Sequence, residues 1–197
     1  MDYAKAFKDF ISLEERDVLN DWTLSNYKSD CFMDPQMDSK KIPNTKLTTR
    51  FASPLFVNNG TKLILSNSDF LYPELVYKLQ RKIILTFEFE DYGFSPVGKD
   101  GIITEIGFEP GTVHPHTDPV WFPDTHTVHF NLITQKPESG GVTHINNEPW
   151  DINDTDLLAY IVSDAEHYVD EIVGKTERIL WVFSFMLSKS DTQRIFS

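Results

Sequence analysis

Cysteine is almost absent from this sequence. Cys31 is the single cysteine among 197 residues, so the chain cannot form an internal disulfide or a cysteine-rich zinc site. A chain of this kind is typical of a reducing compartment, and the N-terminal segment MDYAKAFKDF lacks the apolar core of a signal peptide. We therefore expect a cytoplasmic protein in which any metal is held by histidine and carboxylate side chains.

Positive charge and long apolar runs are also scarce. The chain has 18 Lys and Arg against 30 Asp and Glu, a net charge of −12. Binding to nucleic acid depends on clustered Lys and Arg, and the sequence shows no such cluster, so we expect no nucleic-acid partner. The longest apolar runs, such as RILWVFSFML, are too short to cross a bilayer as helices, so we expect no membrane partner either.

Apolar and aromatic residues are plentiful. Hydrophobic residues make up 40% of the chain, and 15 residues are Phe, which is typical of a globular protein. The length predicts one domain over 1–197. Within it, residues 1–100 are helical and irregular, whereas residues 101–187 have the composition of a β-rich core.

Two helices are predicted in the N-terminal part. Residues 8–28 contain Ser12 and Glu15 at the spacing of a capping box. The second helix begins at YPELVYKLQRKI with Pro73 in its first turn, and the following ILTFEFE either continues it or starts a strand. Between them, residues 29–62 are irregular and form either a lid over a site or a surface loop.

Short β-rich segments dominate from residue 101 onwards. They are GIITEIGF, TVHPHTD, THTVHFNLIT, GVTHIN, DLLAYIV, EHYVDEIV and RILWVFSFML, and turn-like sequences separate them. This spacing favours a sandwich, barrel or jelly roll. Because the helices come first and the strands afterwards, the fold class is α+β with the helices packed on one side of the sheet.

Histidines are concentrated in this β-rich part: His114, His116, His126, His129, His144 and His167. In TVHPHTDPVW, His114, His116 and Asp118 alternate, so an extended strand would place them on one face. One interpretation is a hydrolytic metalloenzyme, since H-x-H-x-D resembles the opening of the metallo-β-lactamase motif. That motif continues with a histidine, however, and here the next residue is Pro119.

The other interpretation combines His116 and Asp118 with the remote His167. Two imidazoles and one carboxylate on one face of an octahedral ion leave three positions open, which suits Fe(II) binding a 2-oxo acid and O₂. Arg178 begins the segment RILWVFSFML. A buried cation there needs an anionic partner, which the carboxylate of a cosubstrate would supply.

In this order the four residues resemble the Fe(II)- and 2-oxoglutarate-dependent dioxygenases, whose fold is the double-stranded β-helix or jelly roll. The resemblance covers residues 101–187 and points to two branches. EPGTVHPHTDP, TVHFNLI and Trp150 resemble the aspartyl/asparaginyl β-hydroxylases. GGVT at 140–143 and the N-terminal FKDFISLEERDVL resemble the prolyl hydroxylases.

The resemblance implies an iron site with three ligands: His116, Asp118 and His167. It also implies that Arg178 binds the distal carboxylate of 2-oxoglutarate, which makes these four the catalytic residues and gives Fe(II), 2-oxoglutarate and O₂ as cofactors. His129 lies where the β-hydroxylase branch has a histidine near the cosubstrate, although Thr127 replaces an arginine of that branch. An aspartate at 118 favours hydroxylation, because related halogenases have a small residue there.

The expected activity is hydroxylation of an amino acid, a peptidyl residue or a related small molecule, with release of succinate and CO₂. The alternatives are the hydrolytic metalloenzyme and a non-catalytic jelly-roll binding module whose histidines are structural. His114 is expected to be a neighbour of the site. The loop 119–125 is a candidate for closing over the substrate, and Trp121, Phe122 and Tyr168 either line the pocket or pack in the core.

Overall fold

The computed structural model describes residues 2–28, 45–47, 72–90, 101–120 and 122–197. The described chain forms three helices: α1 (Leu13–Asn26), α2 (Glu74–Phe87) and α3 (Lys189–Phe196). Its strands are β1 (Ala4–Phe7), β2 (Thr45–Leu47), β3 (Ile102–Gly107), β4 (Val113–His116), β5 (Thr125–Gln135), β6 (Ser139–Gly140), β7 (Thr143–Ile145), β8 (Glu148–Trp150), β9 (Leu157–Ile161), β10 (His167–Val169), β11 (Ile172–Val173) and β12 (Arg178–Ser188). The predicted lid at 29–62 lies outside the described residues, apart from β2.

Antiparallel sheets dominate the structure. A large sheet has the strand order β1-β9-β5-β12-β3-β2, a smaller one has the order β4-β10-β7-β8, and β11 pairs with β6. The coarse α+β prediction is thus confirmed, because the described chain consists mostly of antiparallel sheets together with helices. The two N-terminal strands join this architecture, because β1 pairs with β9 and β2 pairs with β3.

One face of the large sheet carries the main apolar core. Successive side chains of a strand point to opposite faces, and on this face β5 contributes Phe130 and Leu132. Trp181 of β12 lies beside them and packs at 5.6 Å, ring centre to ring centre, from Trp22 of α1. Buried residues of α2 and α3 belong to the same cluster, so the helices cover this face of the sheet.

The opposite face of the large sheet turns toward the smaller sheet. Ile133, Leu180 and Val182 form a second buried cluster there with Ile145 of β7. The polar residues of β5 and β12 that share this inner face therefore lie between two sheets. This is the position in which a polar side chain is removed from water yet can still line a cavity.

The helix boundaries refine the sequence expectations. In the predicted capping box, Ser12 N–H donates to Glu15 Oε2 at 2.9 Å and Glu15 N–H donates to Ser12 Oγ at 3.1 Å. The ambiguous ILTFEFE continues α2 as far as Phe87, and Pro73 is the N-cap residue of that helix and not part of its first turn. None of the helices in the described ranges has the length and apolar character needed to cross a membrane.

Candidate metal centre

Two histidines that are remote in sequence face each other across two paired strands. β10 pairs with β4 in antiparallel fashion, and His167 lies directly opposite His116 in that register. The centres of their imidazole rings are 4.3 Å apart. The small sheet thus brings both side chains to one point without a contribution from any loop.

Asp118 completes a three-residue group just after β4. Its backbone N–H donates to the carbonyl oxygen of Val162 at 2.9 Å, which anchors the residue beside β9. Its Oδ1 lies 3.7 Å from His116 Nε2. One ligand atom from each of His116, Asp118 and His167 lies within 4.8 Å of the other two, and no other group of three or more potential ligands of this kind is found among the described residues.

Backbone carbonyls orient both imidazoles. His116 Nδ1 is 2.8 Å from the carbonyl oxygen of His114, and His167 Nδ1 is 3.1 Å from that of Ala165. A carbonyl oxygen only accepts, so each Nδ1 carries a proton, and Nε2 is the atom that the neutral ring can offer to a metal. Burial also lowers the pKa of His167 to about 4, which keeps this ring neutral at physiological pH. The donor set therefore fits a two-histidine, one-carboxylate Fe(II) site.

Arg178 lies on the inner face of the large sheet at the start of β12. It is 1% exposed, and three groups bind its guanidinium. Nε donates to the Gly141 carbonyl oxygen at 2.8 Å, Nη2 donates to Thr143 Oγ1 at 3.1 Å, and Nη1 lies 3.4 Å from Glu105 Oε1. The anionic partner of Arg178 in this structure is thus Glu105, a residue that the sequence reasoning did not single out.

The GGVT segment explains how two of these contacts arise. Gly140 and Gly141 both have positive φ angles, +66° and +67°, in the turn that leads from β6 to β7. A Cβ atom on Gly141 would lie 2.8 Å from Pro137 Cγ and 3.2 Å from Arg178 Cδ. Glycine is therefore required for the backbone to approach the arginine and present a carbonyl oxygen to it.

One cavity of about 160 Å³ contains both the metal-ligand group and Arg178. Its polar lining residues are Glu105, His116, Asp118, His129, Asn131, Thr143, Tyr160, His167, Tyr168 and Arg178. Its apolar lining residues are Ile103, Val113, Val169, Leu180 and Val182. The cavity thus contains a group of potential metal ligands, a buried guanidinium and several apolar side chains, which suits a small ligand with two anionic ends.

Two buried polar atoms that line this cavity have no hydrogen-bond partner. They are His129 Nε2, which lies 3.8 Å from Asp118 Oδ2, and Asn131 Oδ1. The amide nitrogen of Asn131 is satisfied, because it donates to Tyr160 Oη at 3.1 Å. Burial lowers the pKa of His129 to about 4, so this ring is also neutral. Unpaired buried polar atoms are costly, and these two are therefore positioned to contact a ligand.

The remaining histidines lie outside the ligand group. His114 is exposed, and its backbone carbonyl is the part that contacts His116. His126 Nε2 lies 3.4 Å from Asp164 Oδ2. The His144 ring stacks on the Tyr168 ring, with ring centres 4.5 Å apart and an angle of 6° between the planes. Tyr168, which lines the cavity, is thus packed against His144.

The 119–125 loop is only partly described. Trp121 lies outside the described residues, whereas Val120 and Phe122 are exposed, at 55% and 47%. Phe122 is therefore not a core residue. The sequence alone did not identify four of the residues that line the cavity: Glu105, Asn131, Thr143 and Tyr160. The alternation of side chains within their strands was the signal that could have indicated which of them face inward.

Comparison with solved structures identifies the fold. A viral collagen prolyl hydroxylase from Paramecium bursaria Chlorella virus-1, in complex with 2-oxoglutarate, matches with a TM-score of 0.63 and 13% identity over 95% of this chain and 97% of that one. A Trichoplax adhaerens prolyl hydroxylase bound to a hypoxia inducible factor peptide fragment also gives 0.63 and 13%, over 97% and 86%. HygX from Streptomyces hygroscopicus, with nickel and 2-oxoglutarate bound, gives 0.57 and 10%, over 95% and 83%.

Sequence comparison gives no such match, either to a protein-family model or to a curated protein. The likeness therefore resides in the three-dimensional structure, and two of these three matches are to prolyl hydroxylases. Of the two branches that the sequence resembles, the structural matches favour the prolyl-hydroxylase one. The chain thus has the fold that these prolyl hydroxylases and HygX share.

Proposed function

We propose that this protein is an Fe(II)- and 2-oxoglutarate-dependent oxygenase that hydroxylates an amino acid, a peptidyl residue or a related small molecule. The observation that carries the proposal is the single cavity that contains both the His116, Asp118 and His167 group and the buried Arg178. We also interpret the large and small sheets as the two layers of a double-stranded β-helix, with the cavity between them.

In this proposal His116, Asp118 and His167 bind the iron. When bound, the iron supplies the O₂ chemistry that converts 2-oxoglutarate into succinate and CO₂ and oxidises the substrate. The chain contributes position and charge. The carbonyl contacts at Nδ1 fix both imidazoles, so that Nε2 would be the atom that binds the metal, and contacts of this kind are the usual support for metal-bound histidine.

Arg178 orients the cosubstrate from the other end of the cavity. Its guanidinium binds the distal carboxylate, while the Gly141 carbonyl oxygen and the Thr143 hydroxyl hold it in place. Apolar side chains such as Leu180 and Val182 line the same cavity, and they exclude water from the ligand. Asn131 Oδ1, which has no partner, is available as an acceptor for a donor group of a ligand or a water molecule.

The substrate is proposed to approach beside the metal motif. Val120 and Phe122 are exposed and apolar, and they lie two and four residues after Asp118 in the chain. A peptide fragment is bound in the Trichoplax structure, so a peptidyl substrate is compatible with a fold of this kind. A small molecule with an apolar part would contact the same two side chains.

The alternatives have less support. A hydrolytic site built on His114, His116 and Asp118 would need the His114 side chain, which is exposed and lies outside the ligand group. A non-catalytic binding module would not need three potential metal ligands in the same cavity as a buried guanidinium, yet His116, Asp118 and His167 share their cavity with Arg178.

The test is succinate formation by purified protein supplied with Fe(II), 2-oxoglutarate and O₂. We expect turnover in the wild type, and its loss in His167→Ala and in Arg178→Ala. His114→Ala and His126→Ala are the matched controls, since they remove histidines outside the ligand group, and both should retain turnover. A wild-type protein that forms no succinate, or an Arg178→Ala variant that forms it normally, would contradict the proposal.

A further inference from the structure

The buried guanidinium of Arg178 is already paired with a carboxylate of this chain. Glu105 lies on β3, its side chain is 14% exposed, and its Oε1 is 3.4 Å from Arg178 Nη1. Arg178 itself is 1% exposed. The guanidinium is therefore already paired with a negative charge before any ligand arrives, and an incoming carboxylate does not meet a free arginine.

Glu105 is the most displaceable of the three Arg178 partners. The Gly141 carbonyl oxygen and the Thr143 hydroxyl bind at 2.8 and 3.1 Å, and Gly141 is backbone held in a turn that requires glycine. The Glu105 contact is longer, at 3.4 Å, and it comes from a flexible side chain that lines the same cavity. A carboxylate that enters the cavity can replace Glu105 without disturbing the other two contacts.

Replacement creates an electrostatic conflict inside the cavity. Two carboxylates would then share one guanidinium, and repulsion between like charges is strong where water is excluded. Burial already raises the pKa of Glu105, whereas the positive charge of Arg178 lowers it. When an added carboxylate takes over the Arg178 contact, the lowering effect is weakened and the pKa of Glu105 rises further.

We propose that Glu105 determines the affinity and selectivity for the cosubstrate: it occupies Arg178 in the empty cavity and gives up that contact to the distal carboxylate of 2-oxoglutarate, becoming a neutral carboxylic acid. The proton comes from solvent and resides on a Glu105 carboxylate oxygen. In this form Glu105 can donate a hydrogen bond to the carboxylate that displaced it. This inference rests on the proposed function and adds a proton-coupled selectivity step to it.

Among the residues that the structure describes, Arg178 is the main positive charge that acts on Glu105. Arg178 on β12 has the larger effect of the two, and His116 on β4 has a smaller one. A histidine that binds a metal carries no proton on the binding nitrogen, so His116 does not act as a second cation in the metal-loaded protein. Tyr160 on β9 interacts with Glu105 as well. The β2 residue paired with Glu105 is Leu47, which carries no charge. Asp170 acts on Arg178 and adds a further negative charge to the surroundings. Arg178 is thus the cation for which both carboxylates compete.

The sign of the pH dependence follows from these pKa directions. Between the pKa of Glu105 in the empty protein and its higher pKa in the complex, binding takes up a proton. In that range the affinity for 2-oxoglutarate falls as pH rises, by up to about tenfold per pH unit. A variant without a titratable group at this position should lose that dependence.

The experiment is calorimetric titration of 2-oxoglutarate into protein loaded with Mn(II), a redox-stable stand-in for Fe(II), at about pH 6 and about pH 8. Glu105→Gln preserves the shape of the side chain and removes the charge. The matched control is Glu148→Gln, which removes an exposed acid on β8. A 2-oxo monocarboxylate of similar length serves as the control ligand, because it has no distal carboxylate to compete with Glu105.

We expect wild-type affinity to fall with pH and Glu105→Gln to bind 2-oxoglutarate more tightly than wild type at about pH 8, on the order of tenfold. The monocarboxylate should show no such gain, and Glu148→Gln should match wild type. Titrations in buffers of different ionisation enthalpy should reveal proton uptake by the wild type. Because the measurement of proton uptake uses only the wild type, it tests the inference even if Glu105→Gln does not fold.

Two outcomes would overturn the inference in different ways. If 2-oxoglutarate binds without proton uptake and equally to wild type and Glu105→Gln, Glu105 has no role in affinity, while the proposed function stands. If 2-oxoglutarate binds to none of the metal-loaded proteins, the proposed function fails and the inference fails with it.

Discussion

His116 and His167 lie opposite each other across the β4–β10 pair, with ring centres 4.3 Å apart. This register makes the two histidines one unit, because any slip by one residue would turn one of the side chains to the other face. Asp118 joins them from just beyond the strand end. The small sheet is thus the scaffold of the candidate metal centre, and the large sheet contributes Arg178, the residue proposed to bind the cosubstrate.

Metal binding should depend on the three proposed ligands and not on the other histidines. His116→Ala and His167→Ala should each weaken Fe(II) binding by more than about 100-fold under anaerobic conditions, because the remaining two ligands cannot fill one face of the ion. His126→Ala is the control, since its imidazole pairs with Asp164 outside the group. Equal Fe(II) affinity in His167→Ala and wild type, measured by titration, would contradict the assignment.

Acid should destabilise the metal-free protein through its buried histidines. Burial lowers the pKa of His129 and of His167 to about 4, below their ordinary value of 6.5. The unfolded chain therefore binds more protons between these values, and stability falls as pH drops from about 6.5 toward about 4. Each histidine contributes a slope of roughly 1.4 kcal/mol per pH unit in the steep part of this range.

Urea unfolding of the metal-free protein at several pH values measures this slope. His129→Asn should remove about half of this slope. His114→Asn, at an exposed histidine, should leave the slope unchanged. A stability that is flat between pH 7 and 5 would show that these rings are protonated at little cost in the folded state.

The Arg178–Glu105 pair should show strong coupling in folding stability. Arg178→Met leaves a buried carboxylate without its cation, which typically costs about 3–5 kcal/mol. Adding Glu105→Leu removes that carboxylate, so the double variant should be more stable than Arg178→Met alone. Denaturant unfolding of the two single variants and the double variant gives the coupling energy. Simple additivity of the two effects would mean that the pair is not an electrostatic unit.

Gly141→Ala should damage both stability and cosubstrate binding. The new Cβ would lie 3.2 Å from Arg178 Cδ at a φ of +67°, so the turn is strained and the arginine displaced. We expect a loss of about 1–3 kcal/mol in unfolding free energy, with weaker 2-oxoglutarate binding.

Gly174→Ala is the matched control for this substitution. Its φ is also positive, at +106°, but its Cβ would meet the Glu138 side chain and not the arginine. It should lose stability while the metal-loaded protein keeps its 2-oxoglutarate affinity in a titration. Equal losses of affinity in both variants would mean that the effect of Gly141 acts through general instability.

Local signals in the sequence predicted local structure well. The Ser12 and Glu15 pair marked the start of α1, and alternation in TVHPHTD marked β4 with its candidate ligand His116. Strand β1 and helix α3 were not predicted. β1 is only four residues long, and its pairing with β9 depends on a partner that lies far away in the sequence.

The ion pair between Glu105 and Arg178 could not be predicted from sequence. Its partners come from β3 and β12, whose antiparallel register places Arg178 opposite Gly107, so that Glu105 is a diagonal neighbour on the same face. The GGVT segment did carry a signal, since two successive glycines indicate positive φ angles, but which side chain they approach depends on the fold. The sequence alone therefore does not show that Glu105 is the carboxylate paired with Arg178.

The most direct test of the central claim is anaerobic addition of Fe(II) and 2-oxoglutarate to the purified protein. A bidentate 2-oxo acid on Fe(II) gives a visible charge-transfer band, and we predict that band in the wild type and in His114→Ala. It should be lost in His116→Ala and weakened in Arg178→Met. Absence of the band in the wild type, together with tight binding of zinc at the same residues, would contradict the account.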